Sequence, residues 1–285
     1  MSALKTRILM SAGCFFVGHS NIAFANILYP DFASPAGLSL VGSATPSSGL
    51  LRLNPSSIDQ KGAAWVTIPQ QLNDGFESEF EFRISSPAGV THPLGYNGAD
   101  GFAFVIQNQN TSAIGVLNNI GYDDITNSLA VEFDTWANIG GITGLNLGDP
   151  GVANHVSIHT RGAAPNSLFE SASLGMTTSI PNIRDGLIHR AKLSYVPGTL
   201  TVFIDNLVVP ALVTPLSLTN LAGDNILDSN GRALVGFTGG TGGAFENHDI
   251  INWSLTTTPE PSTVAILAIA GFCLRLNRRG FRGSK

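Results

Sequence analysis

The chain predicts an all-β sandwich of two antiparallel sheets, on three observations. Apolar residues recur at period two in short runs, turn residues punctuate those runs, and no stretch carries the 3.6-residue period of a long helix. Only 12% of the 285 residues are charged and 32 are glycine, a balance that suits turn-rich sheets better than helices.

At the N-terminus, Lys5 and Arg7 precede an apolar run from Ile8 to Val17, and Ala23-Phe24-Ala25 follows. A basic start, a short apolar stretch and a small-x-small end form the three-part pattern of a secretory signal peptide over residues 1–25, cut after Ala25. A buried N-terminal helix is the competing reading. Cys14 has Ser11 three residues before it rather than the Leu of a lipoprotein signal, which argues against lipidation.

The body then alternates. Phe76, Phe80, Phe82 and Ile84 stand among charged residues, and Leu200, Val202 and Ile204 share one face of a second run. Alternation at period two sends one face of a strand into a core and the other toward water. Phe102-Ala103-Phe104-Val105-Ile106 and Leu129-Ala130-Val131-Glu132-Phe133 are more continuous, as expected of strands packed on both faces. Turns are predicted at Asn73-Asp74-Gly75, Asn97-Gly98, Pro197-Gly198, Asp205-Asn206 and Asn230-Gly231. Trp65 and Trp253 read as core aromatics, His92 as a loop residue, His159 as exposed, and His248 and Asp249 as structural rather than catalytic. Gly239 to Gly243 reads as a flexible loop, because strand-like sequence resumes at once. No linker and no repeat divides residues 26–258, so one domain is expected there.

At the C-terminus, Pro259-Glu260-Pro261 leads into an apolar run from Val264 to Leu274 and a basic end of Arg275, Arg278, Arg279, Arg282 and Lys285. The run is shorter than the ~20 residues of a bilayer span, and the basic end would stay on the cytoplasmic side. Residues 259–285 resemble the PEP-CTERM sorting signal of bacterial proteins processed by an exosortase. That resemblance implies a Gram-negative-type envelope, export, only transient membrane contact through the tail, and signal peptidase and exosortase as processing partners. A plain tail anchor is the alternative.

Removing both ends changes the charge and cysteine balance. Cys14 and Cys273 lie in the two end segments, so residues 26–258 hold no disulfide and no cysteine–metal site. Those residues keep 8 Lys and Arg against 19 Asp and Glu, a net charge of −11. Nucleic-acid binding would want the opposite sign, whereas bound cations fit it.

The chemistry concentrates in Val131-Glu132-Phe133-Asp134-Thr135-Trp136-Ala137-Asn138. Residues two apart on a strand share a face, so Glu132 and Asp134 point together and Phe133 points into the core. Adjacent carboxylates repel unless a cation lies between them or one takes a proton. Asn138, Asp149 and His155 follow beyond the strand. Asp, Asn and carbonyl oxygens suit calcium, and carboxylates with an imidazole suit manganese or zinc. These residues permit a two-ion site, and a polar strand edge without metal accounts for them equally well.

Val-Glu-Phe-Asp-Thr, an aromatic, a spacer and Asn resemble the central signature of the legume-type (L-type) lectins. Ala99-Asp100-Gly101-Phe102-Ala103-Phe104, Asn154-His155-Val156-Ser157-Ile158, and Val235-Gly236-Phe237-Thr238-Gly239 with Asn247 to Ser254 resemble further family segments in the family's order. The resemblance implies a concanavalin A-like jelly-roll β-sandwich that binds carbohydrate without catalysis. It implies calcium on Asp134, Asn138, Asp149 and the carbonyl of Trp136, and Mn2+ or another transition metal on Glu132, Asp134, Asp149 and His155. Asp100 would accept hydrogen bonds from sugar hydroxyls after a cis Ala99–Asp100 peptide, Asn138 would donate its amide, and Trp136 would offer a ring face. Gly101 or the 239–243 loop, through Gly240, Thr241 and Gly242, would add backbone N–H groups and shape the rim. The stretch between Asn138 and Asp149 is longer than the family's usual loop, so Asn146 competes with Asp149 for the calcium. The implied partners are glycans or an extracellular polysaccharide, and pairing into a homo-oligomer is left open.

Two other function classes compete. Jelly-roll glycoside hydrolases carry Glu-x-Asp-x-x-Glu on one strand, and retaining hydrolysis needs two carboxyls about 5–5.5 Å apart. Glu132 and Asp134 match the start of that pattern, but Ala137 stands at the second Glu, which argues against an enzyme. An extracellular-matrix or biofilm protein with the same fold and no working sugar pocket is the other alternative.

Overall fold

A computed structural model describes residues 26–116, 119–140, 146–219 and 226–258. The proposed signal peptide and sorting tail lie outside the described residues. In chain order the strands are β1 (Asn26–Tyr29), β2 (Leu38–Gly42), β3 (Thr45–Ser47), β4 (Leu50–Asn54), β5 (Lys61–Val66), β6 (Gln70–Gln71), β7 (Phe76–Gly89) and β8 (Gly101–Gln107). They continue with β9 (Ser128–Asp134), β10 (His155–Thr160), β11 (Ser173–Thr177), β12 (His189–Val196), β13 (Gly198–Ile204), β14 (Leu212–Leu216), β15 (Arg232–Gly240) and β16 (Ala244–Thr257). A 3-10 turn, Glu170–Ala172, precedes β11.

The strands form two antiparallel sheets of eight. One runs β14-β13-β12-β7-β16-β4-β3, with β1 added on β16. The other runs β11-β10-β9-β8-β15-β5-β2, with β6 added on β15. The alternating runs lie in the first sheet: Phe76, Phe80, Phe82 and Ile84 of β7, and Leu200, Val202 and Ile204 of β13, are buried while their neighbours are not. They meet Phe102, Phe104, Phe133 and Phe237 of the second sheet in one core. Phe102 stacks on Phe133 at 4.7 Å, and Phe80 and Trp253 meet Phe237 edge-on at 5.0 and 4.9 Å. Burying each such ring stabilises the fold by roughly 1.5–3 kcal/mol, before the entropy of ordering it.

The second sheet is covered on its outer face as well. Ile120, Tyr122, Ile125, Leu147 and Leu168, from the long connections, pack over Trp65, Ala103, Val105 and Ala130. Every residue of β8, β9 and β10 is therefore buried. The continuous apolar runs of β8 and β9 fit that double cover. His159 departs from expectation: it is fully buried, because the covering layer closes over β10 and strand alternation carries no trace of a distant loop.

The loop expected at Gly239 to Gly243 is shorter than that. β15 runs through Gly239 and Gly240, and β16 starts at Ala244, leaving Thr241-Gly242-Gly243 as the turn. Asp249 is structural, as expected: its buried carboxylate takes both ends of the Arg52 guanidinium at 2.8 and 2.9 Å and Arg83 at 3.3 Å.

Candidate metal and carbohydrate site

The site grows from the register of three neighbouring strands in the second sheet. Asp134 of β9 stands opposite Gly101 of β8 and His155 of β10. Glu132 stands opposite Ala103 and Ser157, on the same outer face. Glycine and alanine on β8 leave room beside the two carboxylates. Gly101 has φ 129°, and a Cβ there would lie 2.2 Å from the Phe133 carbonyl oxygen, so no side chain fits.

Beyond the end of β9 the chain folds back on its own carboxylates. The Trp136 N–H donates to Asp134 Oδ1 at 2.6 Å, and the Asn138 N–H donates to Asp149 Oδ2. Leu147 N–H closes the loop on the Asn138 carbonyl at 3.1 Å. Of the two residues competing for this position, Asp149 reaches the loop. Asn146 is exposed, and its side-chain Oδ1 accepts from Gly148 N–H at 3.1 Å.

The electrostatics are those of crowded acids. Asp134 is pushed well above the usual carboxylate range by burial, then by Glu132 and Asp149. Burial raises Asp149, the Asn138 N–H draws it partly back and Glu132 raises it again, to about 7. Glu132, Asp134 and His155 bring ligand atoms within 4.8 Å of one another, as do Asp149, His155 and Glu170. A divalent cation relieves such crowding, and carboxylate oxygens are among the hard donors calcium takes.

Asp100 lies next to this group. Its peptide bond to Ala99 is cis. Its N–H donates to the Gly240 carbonyl at 3.1 Å, and its own carbonyl accepts from Thr135 N–H at 3.0 Å. The Gly242 backbone hydrogen-bonds its carboxylate, while Oδ2 is buried without a partner among the described residues. Burial, followed by the charge of Glu246, raises the Asp100 carboxyl well above the usual range.

Three rim expectations change. The Trp136 ring is only 9% exposed, with His92 and Tyr96 edge-on to it at 4.6 and 5.7 Å. The loop after β7, residues 90–98, supplies both rings, so Trp136 is part of a wall and not an open stacking platform. Gly240 is buried at a strand end, where a Cβ would run into the Asn119 carbonyl. Thr241 is buried too: its hydroxyl donates to the Ser57 carbonyl at 2.7 Å and accepts from Gln60 N–H at 2.9 Å. Gly242 alone of the three is partly open.

Four further residues belong to the neighbourhood and carried no motif of their own: His159, Glu170, Tyr122 and Glu246. Glu246 accepts from the Thr135 hydroxyl behind Asp100. That contact joins residues 111 positions apart, so no local pattern in β16 announces it.

The sequence matches the legume lectin domain over residues 25–267. The chain belongs to the legume lectin family. Members of this family are non-catalytic carbohydrate-binding proteins, and the family assignment agrees with Ala137 at the position a hydrolase would give to its second Glu. Lectin DB58 of Vigna unguiculata subsp. cylindrica is 26% identical over 257 residues, covering 83% of this chain and 85% of the relative. Human protein ERGIC-53 is 26% identical over 224 residues, covering 77% of this chain but only 39% of that protein's length. Among solved structures, the exoplasmic/lumenal domain of VIP36 in its Ca2+/mannose-bound form superposes with a TM-score of 0.60 at 19% identity, covering 78% of this chain and 83% of that one. That likeness establishes the lectin sandwich.

Proposed function

We propose that this lectin domain binds glycans in a calcium-dependent way, with Asp100 as the sugar acceptor. The observation that carries the reading is the buried Asp100 carboxylate, one oxygen unpartnered, set beside the crowded acids Asp134 and Asp149. A buried polar atom without a partner costs free energy unless a ligand or water satisfies it, and sugar hydroxyls are donors of the right kind. The relative solved with Ca2+ and mannose supports the same choice of ion and ligand class.

Asp134, Asn138, Asp149 and the Trp136 carbonyl would hold the calcium, which supplies charge neutralisation and no chemistry of its own. Glu132 and His155 stand ready for a second ion. The chain's own part is positioning. The backbone N–H groups of Trp136 and Asn138 already tie the chain beyond β9 to Asp134 and Asp149, and an ion between those carboxylates would fix Asn138 with them. Stiffening a site before the ligand arrives lowers the ordering cost of binding. His92, Tyr96 and Trp136 form an aromatic wall on one side, and Gly242 offers backbone on the other.

The wider setting rests on the sequence alone. Residues 1–25 act as an export signal, and residues 259–285 as a PEP-CTERM tail handled by an exosortase, so the domain works outside the cytoplasmic membrane on extracellular polysaccharide. A glycan microarray probed in calcium tests the site: the wild-type protein is retained on a defined subset of glycans, and Asp100→Asn loses them. Equal retention of Asp100→Asn removes Asp100 from the site, and retention on no glycan leaves the fold as a structural matrix element.

A further inference from the structure

We propose that Arg184 is a positioning residue of the glycan site: its guanidinium holds the 90–98 loop, and with it the aromatic wall and the chain that enters Asp100, against the buried carboxylate of Glu246. This rests on the glycan-binding reading and adds to it a side chain from the 178–188 connection between β11 and β12, which no motif singles out.

The guanidinium serves the loop and the carboxylate together. Its Nη2 donates to the Asn97 carbonyl and, at 3.4 Å, to the Gly98 carbonyl. Its central carbon lies 4.4 Å over the centre of the Tyr96 ring. Its Nε faces Glu246 Oε2 at 4.0 Å, and the two side chains are 9% and 1% exposed. A planar fork that stacks on an aromatic face while donating along its edge is what arginine offers and lysine does not. Glu246 needs such a neighbour, because a carboxylate taken out of water is costly unless a positive charge stands near it. His248 Nε2 lies 3.5 Å from the other Glu246 oxygen, the one that accepts from the Thr135 hydroxyl. The loop lies flat on Glu246: a Cβ on Gly98, whose φ is 90°, would stand 2.4 Å from Oε2.

What the loop carries gives the grip its importance. The Tyr96 hydroxyl accepts from Ala137 N–H at 3.1 Å, and its ring stacks on His92 at 4.5 Å. His92 Nδ1 accepts from Leu94 N–H at 3.0 Å, so Nε2 carries the hydrogen and donates to the Ala137 carbonyl at 3.0 Å. Ala99 packs with Trp136 and Ala244 in a small cluster apart from the main core, with Tyr96 against it. So small a cluster buries little apolar area, and polar ties must hold the wall. Arg184 grips the chain two and three residues before Asp100, whose own backbone pairs with Gly240 and Thr135. The arginine has firm footing. Ile183 is fully buried in the main core, and the Asp185 carboxylate meets Leu187 N–H at 2.8 Å and His189 Nε2 at 3.1 Å. The ties of Trp136 and Asn138 to Asp134 and Asp149 do not pass through Arg184, so its loss leaves the proposed ion pocket in place.

Arg184→Gln and Arg184→Lys, checked for fold by circular dichroism, test this against the wild-type protein. Each is applied to a glycan microarray in calcium over a series of protein concentrations, titrated with calcium by calorimetry, and followed by amide hydrogen exchange. Arg184→Gln is expected to weaken glycan retention at least about tenfold while calcium affinity stays within about twofold. Arg184→Lys keeps the charge beside Glu246 without the fork and is expected to lose at least about threefold; it carries the test if the glutamine variant fails to fold. In both, exchange quickens over residues 90–98 and not over β9. A merely structural role would lower Tm and spare the affinity of the folded fraction. Retention within about twofold of wild type, calcium affinity lost in proportion to retention, or unchanged exchange over 90–98 overturns the proposal. Wild-type protein retained on no glycan would sink the function reading alone; faster exchange over 90–98 in the variants then still upholds the clamp on the loop, and unchanged exchange overturns it.

Discussion

The backbone N–H of Asn138 donates to the carboxylate of Asp149, eleven residues further along the chain. One carboxylate thus both holds the loop beyond β9 and stands beside Asp134, tying the shape of the loop proposed to face the sugar to the charge of the proposed ion pocket. Replacing Asp149 removes the proposed calcium ligand and the loop tie together. Asp149→Ala is expected to weaken calcium at least about tenfold, measured by calorimetric titration, and to weaken glycan binding even in excess calcium. Unchanged calcium affinity would hand the position to another oxygen donor.

Acidity follows with a definite sign. In the ion-free chain Asp149 keeps its proton up to about 7, against an ordinary carboxylate value of 3.8, and Asp134 is also raised. The folded state then holds protons that the unfolded chain has released, so ion-free stability is fullest below the unfolded value and falls as pH climbs from 3.8 through about 7. Calcium displaces those protons and restores what was lost. The rise in Tm on adding calcium is therefore expected to be small at acidic pH and to widen above neutrality. A gain in Tm that stays constant with pH contradicts this.

Glu170 has the opposite dependence. Burial pushes its carboxyl up, but the hydrogen bonds and charges of His155 and His159 outweigh that and settle it at about 2. Its contribution to ion-free stability is present above the ordinary value of 4.5 and is lost as pH falls toward about 2. Glu170→Gln is expected to flatten the acid limb of the metal-free unfolding curve between those values; an unaltered limb would remove the imidazole–carboxylate contact from the stability balance.

Gly101 is predicted to tolerate no side chain. Its positive φ and the Phe133 carbonyl 2.2 Å from a would-be Cβ both penalise Gly101→Ala. The cost is about 2–4 kcal/mol, read from denaturant unfolding. A loss of only a few tenths would mean that β8 can shift away from β9.

Asp249 separates stability from function. Asp249→Ala strands Arg52 and Arg83, both partly exposed, so the expected loss is about 2 kcal/mol rather than the larger cost of a fully buried charge. Glycan binding by the folded fraction is expected to be unchanged. A selective loss of binding would place this first-sheet pair in communication with the site.

The strands were legible because alternation and continuous runs report burial locally: Phe76 to Ile84 and Leu129 to Phe133 read correctly as one-sided and two-sided strands. Glu132, Asp134 and His155 were legible as neighbours because strand periodicity and the ordered motifs carried them. His159 and Glu170 were not, since their burial depends on a covering layer assembled from separate connections. Trp136 misled for a related reason. Its chemistry suits a sugar face, but the 90–98 loop that encloses it is joined to β9 by no local pattern. Thr241 and Gly240 looked like rim because glycine-rich sequence suggests a mobile loop, whereas pairing of β15 with β8 and β5 draws Gly240 into the sheet.

Reversible retention on a glycan microarray tests the central claim most directly. The protein applied in calcium, then in excess chelator, then in calcium again should bind a defined set of glycans, release them, and bind the same set once more. Binding that persists unchanged through the chelator wash, at neutral pH and with the fold intact, would contradict a site held together by an ion between Asp134 and Asp149.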